Sequence, residues 1–403
     1  MNVSRRITDL QASPIRRLAP YAREAVERGI KVHHLNIGQP DIKTPPRVIE
    51  AIQNYREPLI AYGASEGRDD LRAALPAYYK KYGADVKSEE ILITTGGSEA
   101  LHFTFMTLCD SGDEVIIPEP FYTNVASFAQ AVGVKLVPVT SRIEDNFALP
   151  PLSDFEARIT EYSRAILICS PNNPTGYIYS SEELRALLDL CKRHDLFLVV
   201  DEVYREFCYD DEAFVSVLTF EEYADRVICL DSFSKRFSMC GARVGAFVSR
   251  NKAVIANALK LAQARLCPPE IEQIAAHAAL GTDDSYLVAV RDEYEKRRNA
   301  IVAGLRGIEG VSVSSSKGAF YLVAELPVDD AEAFAIFMLR DFNLNGETVM
   351  VSPCENFYLS EGMGRRQVRI AYVLNTDDLA RAVSCLNAGL EAYKGKMADA
   401  KRA

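Results

Sequence analysis

A chain of 403 residues, 48% hydrophobic and 25% charged, has the composition of an ordinary globular protein with room for one large domain and a smaller one. Its net charge of −10 repels polyanions, which excludes a general nucleic-acid or membrane-surface role and confines any anion site to a local feature. The opening stretch MNVSRRITDLQASP lacks the apolar core of a secretory signal, and no apolar run approaches the ~20 residues of a membrane span, so a soluble, cytoplasmic protein is expected.

The nine cysteines form no CxxC pair and several sit in apolar runs, which reads as reduced thiols rather than a disulfide framework. The five histidines show neither HExxH nor HxxxH spacing, so no metal site is expected. His33 and His34 are expected at a strand edge.

From about Arg47, helical and strand-like segments alternate. Residues 66–82 have helical spacing, and 90–95 form a short β run ending in Gly96-Gly97. A helix is expected over 98–108, with strands over 114–118, 135–139 and 165–168. A second helical stretch, 182–194, leads into the nearly all-apolar 197–200, and strands over 226–230 and 244–248 complete the series. Strands apolar on both faces and separated by helices predict a mainly parallel sheet covered on both sides, with ligands beyond the carboxyl ends of the strands. After a long charged helix over 283–305, strand-like 318–323 and 367–372 alternate with amphipathic helices in an α+β pattern. The expected fold class is therefore α/β, with a large domain over 46–294 and a smaller α+β domain built from 1–45 and 295–403. The charged tail from 394 is expected to fray.

Four motifs fall where such a sheet would bind a ligand. Gly96-Gly97-Ser98-Glu99-Ala100 turns from a strand into a helix, whose free N–H groups and positive dipole end attract a phosphate; as a bare turn it would equally use Ser98 as an N-cap. Asp201 ends an apolar strand, where a carboxylate is costly unless a cation or several donors face it, although an N-cap aspartate also fits. Ser170-Pro171-Asn172-Asn173-Pro174-Thr175-Gly176 is a loop dense in turn formers that presents asparagine amides. Lys235, in Ser232-Phe233-Ser234-Lys235, is a nucleophile toward an aldehyde cofactor only if its surroundings lower its basicity, and an isolated Ser-x-Ser-Lys is more often a solvated lysine. Arg243 follows eight positions later and would supply charge-assisted bonds to an anion.

Together with Gly38-Gln39-Pro40-Asp41 and Tyr62 with Gly67, these motifs occur in the order and approximate spacing of the class I/II pyridoxal-phosphate aminotransferases of fold type I, which the chain resembles over residues 13–390. The resemblance implies a seven-stranded, mainly parallel sheet and pyridoxal 5′-phosphate as cofactor. It implies that Lys235 tethers the cofactor and moves the proton, that Asp201 faces its ring nitrogen, and that Asn173 and Tyr204 donate to its phenolic oxygen. Gly97, Ser98, Ser232, Ser234 and Arg243 match the phosphate cup, with Glu99 beside them. Tyr122 matches the aromatic that stacks on the ring, where many relatives carry tryptophan and this chain has none. Tyr62 matches a tyrosine that reaches the phosphate of the other subunit, which implies an obligate homodimer with an intersubunit active site. Arg369 and Asn173 would bind the substrate α-carboxylate, with Gly38 closing over it. Arg265, before Pro268-Pro269, resembles an arginine that reads a side-chain carboxylate from the neighbouring subunit, but it lies about one helical turn too near the prolines.

The expected reaction moves the amino group of an L-amino acid, aspartate by resemblance, to 2-oxoglutarate by a ping-pong route through Lys235. A carbon–sulfur β-lyase would use the same Lys235 and Asp201. A non-catalytic cofactor-binding regulator would need a basic DNA-binding module for which this chain has no spare length.

Overall fold

The computed structural model describes residues 3–8, 10 and 14–402, with only the backbone described for 14, 15 and 398–402; Ser13 of the opening Ser13-Pro14-Ile15-Arg16 lies outside them. Seven strands form the central sheet, in the order Ile91–Thr94, Gly245–Val248, Val227–Ser232, Phe197–Asp201, Ser163–Cys169, Glu114–Glu119 and Lys135–Thr140. Gly245–Val248 runs antiparallel to both neighbours, and the other pairings are parallel. The antiparallel return has a local cause. Residues 233–244 contain no crossover helix, and a parallel strand cannot be reached without one.

Side-chain alternation explains why these strands read as continuously apolar. Ile166, Ile168, Leu198 and Val200 enter one core, against the Asp69–Lys80, Ser181–Arg193 and Glu270–Leu280 helices. Their neighbours Ala165, Leu167 and Val199 enter another, under the Gly96–Leu108, Asn124–Val132 and Lys252–Arg265 helices. Both faces are covered, so ligands have access at the strand ends. At one such end Gly245 is indispensable. A Cβ there would lie 2.5 Å from the Gly96 carbonyl carbon and 2.8 Å from Gly97 N, so glycine lets this strand pass directly beneath the start of the Gly96–Leu108 helix.

The remaining strands lie elsewhere. Lys31–His34 pairs in parallel with Glu347–Met350 in a two-stranded sheet, which places His33 and His34 at a strand edge as expected. Ser352–Pro353, Gln367–Ala371, Tyr321–Glu325 and Ser312–Val313 form a four-stranded antiparallel sheet. Leu18, Ala22 and Leu35 share a core with Phe334, Leu339, Ile370 and Leu386, so the two ends of the chain pack together. No described helix is long and apolar enough to cross a membrane.

Among the boundaries that differ from expectation, three stand out. The helix predicted from Ser98 begins at Gly96, with Thr95 in the N-cap position, so Ser98 is not the cap. The helix predicted from residue 66 begins at Asp69, because Gly67 adopts φ +104° and the Glu66 carbonyl accepts the Ile93 N–H. The charged tail is not frayed backbone but part of a helix, Thr376–Arg402.

Candidate active site

One end of the site is assembled by three elements at the ends of the strands. In any α-helix the leading four N–H groups have no acceptor within the helix itself. Here the Thr95 N–H is taken by Glu99 Oε2 at 2.7 Å, which leaves those of Gly96, Gly97 and Ser98 for a ligand. The strand end opposite contributes Ser232, whose Oγ donates to Ser234 Oγ at 2.9 Å and accepts the Ser234 N–H at 3.2 Å. Arg243, the residue on which the chain turns back into the sheet, has φ 53° and ψ 49°. A left-handed arginine is strained backbone of the kind concentrated at functional sites. The turn aims its Nη1 at Ser234 Oγ, 3.5 Å away, and at the Cys240 carbonyl, 3.0 Å away. Hydroxyls, helix N–H groups and a guanidinium thus converge, which suits a phosphate dianion. The Glu99 carboxylate is not among them. It serves as the brace that takes Thr95 N–H and pairs with Arg265 at 2.5 Å, and a negative side chain would repel the phosphate.

At the ring end, the Phe197–Asp201 strand delivers Asp201 to a pocket lined by Leu101, Ile117, Phe121, Tyr122, Asn173 and Asp201 itself. Asp201 keeps part of its surface toward this pocket and accepts the Val203 N–H at 3.2 Å. Burial raises its carboxyl to about 7 against the opposing Val203 bond, and the charges of Asp231 and Glu202 add to the rise. A cationic ring nitrogen in the pocket would remove that penalty. Tyr122 lies on the pocket wall, its hydroxyl accepting from Asn124 Nδ2 at 2.8 Å.

Asn173 and Tyr204 meet at the next corner, Nδ2 donating to the phenol oxygen at 3.4 Å. Burial, reinforced by Tyr321, pushes the Tyr204 hydroxyl well above its ordinary range, so it is a proton donor at neutral pH. Arg369 adjoins them: Nη1 donates to Asn173 Oδ1 at 3.2 Å and Nη2 to the Asn36 carbonyl at 2.7 Å. This guanidinium is 2% exposed, stacks on Tyr321 and Phe357 at 4.6 and 5.2 Å, and leaves Nε without a partner. Among the described residues no ion pair compensates its charge, which suits it to a ligand carboxylate.

Lys235 follows Ser234 directly and reaches toward the N-terminal segment. Its Nζ donates to the Gly38 carbonyl at 2.9 Å and lies 3.8 Å from Cys240 Sγ. Tyr321, which sequence reasoning placed only in a strand, is a site residue: its hydroxyl is 3.2 Å from that of Tyr204, and its ring flanks Arg369. A Cβ on Gly38 would stand 1.7 Å from the Tyr321 hydroxyl, so the glycine of Gly38-Gln39-Pro40 is dictated by this tyrosine. The structure does not bring Tyr62 or Arg265 to the pocket of the single chain. Tyr62 is 82% exposed, and the Arg265 guanidinium is taken by Glu99 and by the Ser65 carbonyl at 2.9 Å.

The residues present fit pyridoxal phosphate on three independent counts: an anion cup, an uncompensated buried carboxyl for a pyridinium, and paired donors for a phenolic oxygen. The model for the aminotransferase class I and II family matches residues 30–386. An aspartate aminotransferase of Pyrococcus horikoshii is 33% identical over 380 residues, 92% of this chain and 95% of that protein. The crystal structure of an aspartate aminotransferase from Thermotoga maritima superposes with a TM-score of 0.88 at 31% identity, covering 96% of this chain and 100% of that one. An alanine aminotransferase from Pyrococcus furiosus is as similar in fold, with a TM-score of 0.89 at 28% identity over 97% of this chain and 100% of its own. This chain therefore belongs to the class I and II aminotransferases and is a pyridoxal-phosphate-dependent enzyme that moves an amino group from an amino acid to a 2-oxo acid.

Proposed function

We propose that the physiological donor is aspartate and the acceptor 2-oxoglutarate, and that the residues gathered above carry the reaction in the roles the motifs imply. The observation that carries the site assignment is Arg369, a buried guanidinium without a carboxylate partner among the described residues, held by Asn36 and by Asn173, which lines the same pocket as Asp201. The aspartate preference rests on the names of the similar proteins.

When bound, the cofactor supplies a carbonyl for the amine and a ring that accepts the electrons of the Cα–H bond. Lys235 would tether it, and its free amine would take the proton from the substrate Cα. Asp201, ionised once a cation faces it, would keep the ring nitrogen protonated. Asn173 and Tyr204 would donate to the phenolic oxygen, with Tyr122 beside the ring. Gly97, Ser98, Ser232, Ser234 and Arg243 would hold the phosphate. Arg369 would hold the α-carboxylate and so orient the Cα–H bond, with Gly38 closing over the substrate.

The same reading includes a large cofactor-binding domain over 46–294, a small one from 1–45 and 295–403, and a homodimer in which each Tyr62 completes the partner's phosphate cup. Tyr62 is exposed in the single chain beside Leu59 and Ile60, at 72% and 63%, a patch that a second copy would cover. A cytoplasmic location agrees with nine cysteines that are all free thiols.

A panel of amino donors, mixed with holoenzyme in the absence of an acceptor, tests the substrate assignment through the loss of the bound cofactor's visible absorbance. Aspartate is expected to react fastest. Faster reaction with alanine or an aromatic amino acid overturns the aspartate assignment, and pyruvate with ammonia released from cystathionine without an acceptor would identify a lyase.

A further inference from the structure

The residue after the proposed tether is more deeply enclosed than the tether itself. Arg236 is 0% exposed, and its guanidinium reaches back across its own loop. Nη1 donates to Asp231 Oδ1 at 2.7 Å and to the Ser232 carbonyl at 3.2 Å, and Nη2 donates to Asp231 Oδ2 at 3.2 Å. Asp231 also accepts the Ser232 N–H at 2.7 Å and the Tyr79 hydroxyl at 3.0 Å. Tyr78 and Phe233 pack on the guanidinium at 4.4 and 4.5 Å. Residues 231–236 are therefore a loop whose two ends are joined by a buried, two-point ion pair. Everything this loop offers the cofactor lies inside it: Ser232, Ser234 and Lys235.

The pair belongs to a wider buried network. Arg205 Nη1 lies 3.5 Å from Asp231, and its Nη2 lies 3.1 Å from Glu202, which also accepts from Ser216 and Val217. Glu206 accepts from Tyr78 and Tyr82 and lies 3.9 Å from Arg236 Nε, and burial raises its carboxyl to about 8. Two guanidinium groups thus share one buried network with Asp231, Glu202 and Glu206. None of these five side chains lines the pocket. Apolar residues would fill the same space, but only a forked ion pair fixes direction as well as distance.

We propose that Arg236 is a positioning residue for the aminotransferase reaction: clasped to Asp231, it sets the 231–236 loop so that the Lys235 amine and the Ser232 and Ser234 hydroxyls keep one fixed spacing. This role presupposes that Lys235 is the tether. Misplacement of a reacting group by ~1 Å costs on the order of 100-fold in rate, so a loosened loop is costly even when the fold survives.

The test uses holoenzymes of Arg236→Gln, Arg236→Lys and the double variant Arg236→Gln with Asp231→Asn. For Arg236→Gln we expect kcat to fall about tenfold or more with KM within about threefold, and cofactor release, measured well below the melting temperature, to quicken about tenfold. Arg236→Lys, which keeps the charge but not the fork, should recover only part of both losses. The double variant leaves Arg205 paired with Glu202 and so removes the unpaired charge. It should regain thermal stability without regaining kcat or cofactor retention. If the double variant, folded by circular dichroism, shows kcat and a release rate within about twofold of the parent, the pair serves only charge balance and the proposal is overturned. The double variant decides the matter even if Arg236→Gln alone fails to fold. Ordinary turnover by Lys235→Ala would instead sink the tether reading itself, which separates the two failures.

Discussion

Asp201 shows how one carboxyl is tuned by its position. At the end of an apolar strand it has no ion-pair partner among the described residues, and burial lifts it to about 7 against the weaker pull of Arg205. An unfolded aspartate ionises near pH ~4. Between pH ~4 and ~7 the folded, cofactor-free protein therefore holds a proton that the unfolded chain has lost, and its stability falls as pH rises through that window. Asp201→Asn removes this penalty. It should raise the melting temperature of the cofactor-free protein more at pH 8 than at pH 5, while lowering turnover of the loaded enzyme by a factor on the order of 100. A melting-temperature gain equal at both pH values would contradict this origin of the penalty. The lone position of this residue was legible in the sequence because an acid directly after Phe197-Leu198-Val199-Val200 is anomalous. Tyr321 was not legible, because an aromatic in a strand reads as core, and only its contacts with Gly38, Tyr204 and Arg369 reveal its place. Glu99 adjoins the cup in sequence, but the helix turns its carboxylate back toward Thr95.

Elements were legible where packing made the pattern and misread where backbone conformation did. The parallel strands announce themselves through side chains that are apolar on both faces. The early start of the Gly96–Leu108 helix is hidden, because two glycines disfavour helix and read as a turn. That start is braced from outside: Arg265, the last residue of the Lys252–Arg265 helix, reaches Glu99, which in turn holds Thr95 N–H. Two roles for Arg265 make different predictions. As a reader of a side-chain carboxylate in the partner's site, it must exchange Glu99 for the substrate, and Arg265→Ala should lower kcat/KM for aspartate roughly 10–100-fold more than for an aromatic donor. Equal losses for both donors assign it to bracing the phosphate end alone.

At the scale of the whole molecule, two cores sandwich one sheet and a third ties together the chain ends, so distant parts of the sequence meet: Lys235 reaches Gly38, and Arg369 reaches Asn36 and Asn173, which touches Tyr204 and lines the pocket with Asp201. No local pattern could specify that convergence; the order of motifs did so only through resemblance to a family. In the proposed homodimer, Tyr62 of one copy completes the site of the other. Mixing Tyr62→Ala and Lys235→Ala proteins, each nearly inactive, should restore activity, because a mixed dimer contains one site with both residues intact. Absence of any recovery after complete subunit exchange would refute the intersubunit site. The tether itself admits the most direct measurement: reduce the holoenzyme with borohydride, which fixes the cofactor to its lysine, then digest it and locate the label by mass spectrometry. The phosphopyridoxyl group is expected on Lys235, with none bound covalently in Lys235→Ala; a label on any other lysine would contradict the assignment of Lys235 as the tether.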